Sequence, residues 1–190
     1  MTKRKISTNT ILKIIFAVVL LISAAAFALL SLPKLMYPIP QDYKAFVEHY
    51  SDIYNVDKYM VYSIIKCESN FRQNAVSNAG AVGLMQVTEP TYEWALTRLG
   101  EDIKDKISLN DTETNIKFGT YIYSLLLEEF KDERTALAAY NAGRSKVKDW
   151  LLDPKYSDDG KTLKSMGYEE TKNYVNKVMA SYKMYKKLYS

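Results

Sequence analysis

Asp57-Lys-Tyr-Met-Val-Tyr-Ser-Ile-Ile-Lys-Cys-Glu-Ser69 reads as a helix that carries a carboxylate on its apolar face. Val61, Ile64, Ile65 and Glu68 fall at i, i+3, i+4 and i+7. At about 100° per residue they share one stripe, which Met60, Cys67 and Phe71 extend. Ser63, Lys66 and Asn70 are expected on the wet side. Burying an unpaired carboxylate costs several kcal/mol, so a chain that places one there needs a partner or a use for it. The expected relief is a raised pKa, which keeps the proton on.

Around this segment the chain reads as a succession of helices with short breaks and no alternating strands. The other candidates are 42–54, 89–99, 112–130, 133–141, 145–152 and 169–188, with loop from 72 to 88 and a polar surface excursion from 153 to 167. In the last helix Val175, Val178, Tyr182, Tyr185 and Tyr189 recur at core spacing. Asp111, Glu113 and Asn115 imitate the start of a calcium loop. Ile116 stands where that loop needs Gly, however, so a helix start is the better reading.

At the N-terminus, Ile14 to Leu32 is nineteen almost wholly apolar residues, enough to span a bilayer core. Lys3, Arg4, Lys5 and Lys13 precede it without an acid, which predicts a cytoplasmic N-terminus and an exported remainder. A cleaved signal peptide, cut near Ala26 or Ala28, is the competing reading, and would release the chain. An uncleaved anchor is favoured because Leu29, Leu30 and Leu32 continue the apolar run.

The net charge of +4 does not indicate nucleic acid. Lys3, Arg4, Lys5, Lys13 and Lys34 hold five of the 26 basic residues, leaving 21 against all 22 acids in the exported part. That part is close to neutral and lacks a phosphate-binding field. Lys183, Lys186 and Lys187 read as a solvated helix end. One cysteine, Cys67, excludes a disulfide framework, and the lone His49 has no His or Cys neighbour in sequence. No metal and no cofactor are expected.

Three clusters stand apart from the packing pattern: Glu68-Ser69, Gly83-Leu-Met-Gln86 and Ala139-Tyr-Asn-Ala-Gly143. Singly, each has a structural account as a helix end, a turn or a cap. In this order, with Tyr54-Asn-Val-Asp57, Asn74-Ala-Val-Ser77, Thr114-Asn-Ile116 and Glu170-Thr-Lys-Asn-Tyr-Val175 between and after them, the chain resembles lytic transglycosylases of the soluble lytic transglycosylase type, relatives of goose-type lysozyme. The resemblance runs from about Tyr43 to Tyr185. It implies a mainly α, lysozyme-like helical domain, which the apolar N-terminal run precedes with one transmembrane helix. The expected plan is a cytoplasmic tail (1–13), an anchor (14–32), a linker (33–41) and a catalytic domain (42–190).

By that resemblance Glu68 matches the catalytic acid and base, while Ser77, Gln86, Tyr140, Asn141 and Glu170 match substrate-binding positions and Ser69 and Met85 supporting ones. The implied substrate is the glycan of peptidoglycan, cut between N-acetylmuramic acid and N-acetylglucosamine to leave a 1,6-anhydromuramoyl end, by a monomer tethered to the membrane. In Val87-Thr-Glu-Pro-Thr91 the proline stands one place later than the family usually has it, which bears on the edge of the cleft.

The residues support one-acid chemistry independently. Protonating a poor leaving oxygen at neutral pH needs a carboxyl with a raised pKa, as in the lysozyme pattern. Two-carboxylate glycosidases need a second acid. None lies in the Glu68, Gln86 or Tyr140 blocks, and Glu170 is the only other acid in a matching motif. Hydrolysis of the same bond, and a non-catalytic glycan-binding module, are the alternative readings.

Overall fold

A computed structural model describes residues 7–100, 102 and 107–190. The chain forms two compact units, Met1–Pro38 and Ile39–Ser190. Lys3, Arg4 and Lys5, on which the expected orientation in the membrane rests, lie outside the described residues.

The first unit contains one helix, α1 (Thr8–Met36), capped by the Ser7 hydroxyl and long and apolar enough to cross a membrane. At about 1.5 Å per residue it is roughly 43 Å long, longer than a hydrocarbon core of about 30 Å. The expected linker from residue 33 begins later, because α1 runs through Pro33. The Tyr37 N–H closes the last turn on the Pro33 carbonyl at 2.9 Å. Only 37–40 is irregular before the next helix.

The second unit is built from α2 (Gln41–Tyr54), α3 (Lys58–Glu68), α4 (Glu89–Leu99), α5 (Thr112–Phe130), α6 (Glu133–Ala142), α7 (Arg144–Leu151) and α8 (Glu169–Tyr189). No strand occurs among the described residues, in keeping with the expected mainly helical class. Three starts are set by aspartates: Asp57, Asp111 and Asp132 accept the N–H of Tyr59, Thr114 and Thr135 at 2.9, 2.8 and 2.7 Å. Asp111 is thus a helix cap, as the sequence pattern around it suggested.

α3 lies deep in this unit, packed mainly on α8 and also on α2. Met60 to Ile65 are all buried, including Ser63, which the periodicity had put in water. The Ser63 hydroxyl returns to the Tyr59 carbonyl at 2.6 Å, so a helix enclosed on both sides can bury it without an orphaned donor.

Residues 70–88 hold no helix, yet they are fixed. Isolated bridges join Val76 to Val82 and Val82 to Val87. Asn115 of α5, which is 1% exposed, accepts the Met85 N–H at 2.8 Å and donates to the Val82 and Leu109 carbonyls at 2.9 Å each. Gly83, at φ +80, lies so close to Asn115 that a Cβ there would strike its amide. Gly119 likewise leaves room for the Met85 side chain. The 153–167 excursion is also docked: Leu163 is buried and its N–H reaches the Thr135 hydroxyl at 3.1 Å. Asn115→Ala should orphan one donor and two acceptors and lower stability by about 3 kcal/mol, measured by urea unfolding of residues 39–190.

Candidate active site

Glu68 is the last residue of α3, half-buried where the helix meets the 70–88 segment. Its carboxyl pKa is raised from the ordinary 4.5 to about 7, chiefly by burial, and a hydrogen bond with Tyr174 opposes the rise. The C-terminal end of a helix carries partial negative charge, which also disfavours the ionised form.

Two tyrosines face this carboxyl. Tyr140 of α6 donates its hydroxyl to the Met85 carbonyl at 2.8 Å. Burial, and then the charge of Glu68, hold its pKa well above the usual value. The Tyr174 hydroxyl of α8 is sheltered from solvent and closes no hydrogen bond of ordinary length, so its interaction with Glu68 is a looser one. Its pKa is raised by burial first, then by the charge of Glu68 and by Tyr140. Both phenols therefore keep their protons and present donors or dipoles to a carboxylate. Cys67, next in the chain, is a free thiol raised by burial, with its Sγ 3.8 Å from the Ser181 hydroxyl.

Beside Tyr140 a groove of about 310 Å³ opens, lined among others by Gln86, Thr88, Trp94, Ile122 and Arg144. Among the described residues no carboxylate lines it, and none contributes to the shift of Glu68. The Thr88 and Thr91 hydroxyls bond each other at 2.8 Å, and Pro90 falls in the first turn of α4. The displaced proline thus shapes the wall of the groove.

The sequence-derived positions separate into distinct jobs. Met85 is fully buried, with its N–H on Asn115, its carbonyl under Tyr140, and its sulfur 3.8 Å from the Thr120 hydroxyl. Ser69 is buried and bonds back to the Ile65 carbonyl at 3.1 Å, closing the end of α3. Gln86, at φ +50, lines the groove and spends its amide nitrogen on the Ala75 and Gly83 carbonyls at 3.0 and 2.9 Å. Ser77 accepts the Ala81 N–H at 3.0 Å and keeps its own proton to donate. Asn141 accepts the Thr171 hydroxyl at 2.8 Å, tying α6 to α8. Glu170 is exposed in the first turn of α8, and neither it nor Ser77 bonds to Glu68.

Tyr174, Trp94 and Arg144 were not singled out from sequence, and Asn115 was given no role at the site. Tyr174 does lie one place before Val175 in the block that begins at Glu170, and Asn115 in the Thr114–Ile116 block. Both blocks carried the resemblance, but no role was assigned to either residue within them. Trp94 and Arg144 carry no local pattern, and only their place in the lining of one groove identifies them. Among the described residues no group of His, Cys, Asp and Glu could hold a metal ion.

Residues 46–163 match the family described as Transglycosylase SLT domain. The chain is 29% identical over 144 residues to a soluble lytic murein transglycosylase of Salmonella typhimurium, covering 74% of this chain and 22% of that protein. It is 32% identical over 111 residues to a membrane-bound lytic murein transglycosylase C of Haemophilus ducreyi, covering 50% and 28%. The structure of the 70 kDa soluble lytic transglycosylase of Escherichia coli superposes with a TM-score of 0.69 at 25% identity, covering 82% of this chain and 25% of that one. The chain thus spans about a quarter of the length of these relatives.

The titration of Glu68 has a consequence for stability. A folded pKa above the unfolded one contributes stability that is full below about pH 4.5 and lost as pH rises through about 7. Glu68→Gln should therefore match the parent below pH 4.5 and exceed it by about 2 kcal/mol at pH 8, after allowance for residual exposure. Denaturant titrations of residues 39–190 at the two pH values check this.

Proposed function

The chain belongs to the Transglycosylase SLT domain family, and from that membership and the Glu68 site we propose that it is a membrane-anchored lytic transglycosylase of peptidoglycan. The observation that carries the reading is a single carboxyl, raised to about 7 by burial and facing Tyr140, which lines a groove that holds no carboxylate among the described residues. A raised pKa keeps a useful fraction of Glu68 protonated at neutral pH, as a general acid requires.

In the proposed reaction Glu68 gives its proton to the oxygen of the β-1,4 bond between N-acetylmuramic acid and N-acetylglucosamine, and the bond from that oxygen to the muramoyl C1 breaks. The Glu68 carboxylate then takes the proton of the same sugar's C6 hydroxyl while that oxygen bonds to C1. The product is a 1,6-anhydromuramoyl end; no water is consumed, and Glu68 finishes protonated. Because the nucleophile belongs to the substrate, the step is intramolecular and needs no second carboxylate.

Tyr140 and Tyr174 position and tune the Glu68 carboxyl. Gln86, through its free oxygen, and Ser77, through its hydroxyl, offer polar contacts to the glycan. Met85 and Ser69 hold the frame, Asn141 fixes α6 against α8, and Glu170 is assigned a contact at the α8 end of the cleft.

For the whole chain we propose a cytoplasmic tail at 1–13, a bilayer span at 14–32 within α1, and an extracytoplasmic catalytic unit at 42–190 that works as a monomer. The long apolar α1 supports this, as does a relative named membrane-bound.

Glu68→Gln should lower turnover of purified sacculi by roughly 10²–10⁴. Mass analysis should find parent products one water lighter than hydrolytic fragments. Reducing muramic acid ends would identify a hydrolase. The rate should fall as pH rises through about 7, where Glu68 loses its proton. Tyr174→Phe removes a bond that favours the ionised carboxyl, so it should move that fall to higher pH; an unmoved profile would exclude Tyr174 from tuning Glu68.

A further inference from the structure

The groove continues past Tyr140 to Trp94 of α4 and Arg144, the first residue of α7. The same two side chains border an adjoining hollow with Arg98, Glu128 and Glu129. Glu129 receives Arg144 through both carboxylate oxygens, from Nε and, at 2.8 Å, from Nη2. It also accepts Lys148 Nζ at 2.6 Å.

One carboxylate thus meets two cations, and Arg144 is the charged side chain that lines the groove itself among the described residues. Lys148 alone would neutralise Glu129, so a purely structural pair has no need of Arg144. The Arg144 side chain is 44% exposed against 26% for Glu129, and its planar fork has more N–H donors than its two bonds to Glu129 use. A guanidinium held flat by one carboxylate, in a groove that an indole also lines, is preorganised for a second planar anion. Sugar hydroxyls and N-acetyl groups are neutral and would not call for it.

We propose that Arg144, oriented by Glu129 in the groove that Trp94 also lines, forms a carboxylate-binding subsite that reads the acidic substituents of peptidoglycan strands. This rests on the glycan-cleaving reading above. Two chemical sources supply such a group: the carboxylates of the stem peptides, or the lactyl carboxylate of muramic acid once its peptide has been removed.

The test uses the full chain on three forms of the same strands: peptide-bearing, peptide-bearing with carboxylates converted to amides, and stripped of peptide. The parent should show a KM about tenfold higher on amidated than on peptide-bearing strands, the size of one charge-assisted contact. Arg144→Ala should raise KM on the carboxylate-bearing strands to the amidated level with kcat little changed, and Arg144→Lys should fall between. If stripped strands keep the advantage, the lactyl carboxylate is the group read; if they lose it, the peptide is. An unchanged KM ratio in Arg144→Ala overturns the subsite, as does an equal loss of kcat on all three strands with a lower melting temperature. Strand binding is read alongside cleavage. A chain that bound carboxylate-bearing strands through Arg144 and cleaved none would overturn the activity reading and leave the subsite standing.

Discussion

The site depends on withholding water from one carboxyl. Glu68 closes α3, a helix buried from Met60 to Ile65 and packed on α2 and α8, so the apolar residues that stabilise the unit also help to desolvate the acid. A shift from 4.5 to about 7 is the local expression of that packing. Burial is therefore both the main stabilising force of the helix and the means by which its last residue keeps a proton near neutrality.

A second constraint is the path of the chain after α3. Residues 70–88 have no helix and few ladder bonds, so their shape comes from outside. Asn115 supplies three hydrogen bonds from α5, and Met85 relays that anchorage: its N–H is held by Asn115 and its carbonyl receives Tyr140. One residue's backbone thereby sets the distance between α5, α6 and the groove. The close packing of Gly83 on Asn115 and of Gly119 on Met85 leaves this arrangement little freedom.

The helices were legible because their causes are local. Aspartate caps, Asn55, Gly100 and Lys131 in left-handed ends, and apolar spacing give boundaries within about two residues of those observed. Local reading failed where a long-range contact decided the outcome. Ser63 followed the polar side of its helix in sequence, yet α3 has no wet side at that turn. Pro33 read as the start of a linker, yet the helix continues past it for three residues because a proline lacks only one N–H and the following turn can still close.

The sequence by itself determined the helical class, the apolar N-terminal segment, and the position of an acid on a face meant for burial, since composition and spacing are written along the chain. Only the tertiary structure decided what surrounds that acid. Tyr140 and Tyr174 arrive from α6 and α8, the Gln86 amide nitrogen turns out to be spent on its own loop, and Trp94 and Arg144 come to line one groove. Desolvation and hydrogen bonding depend on which groups lie near in space, and residues as far apart in sequence as Glu68 and Tyr174 become neighbours only when the core closes.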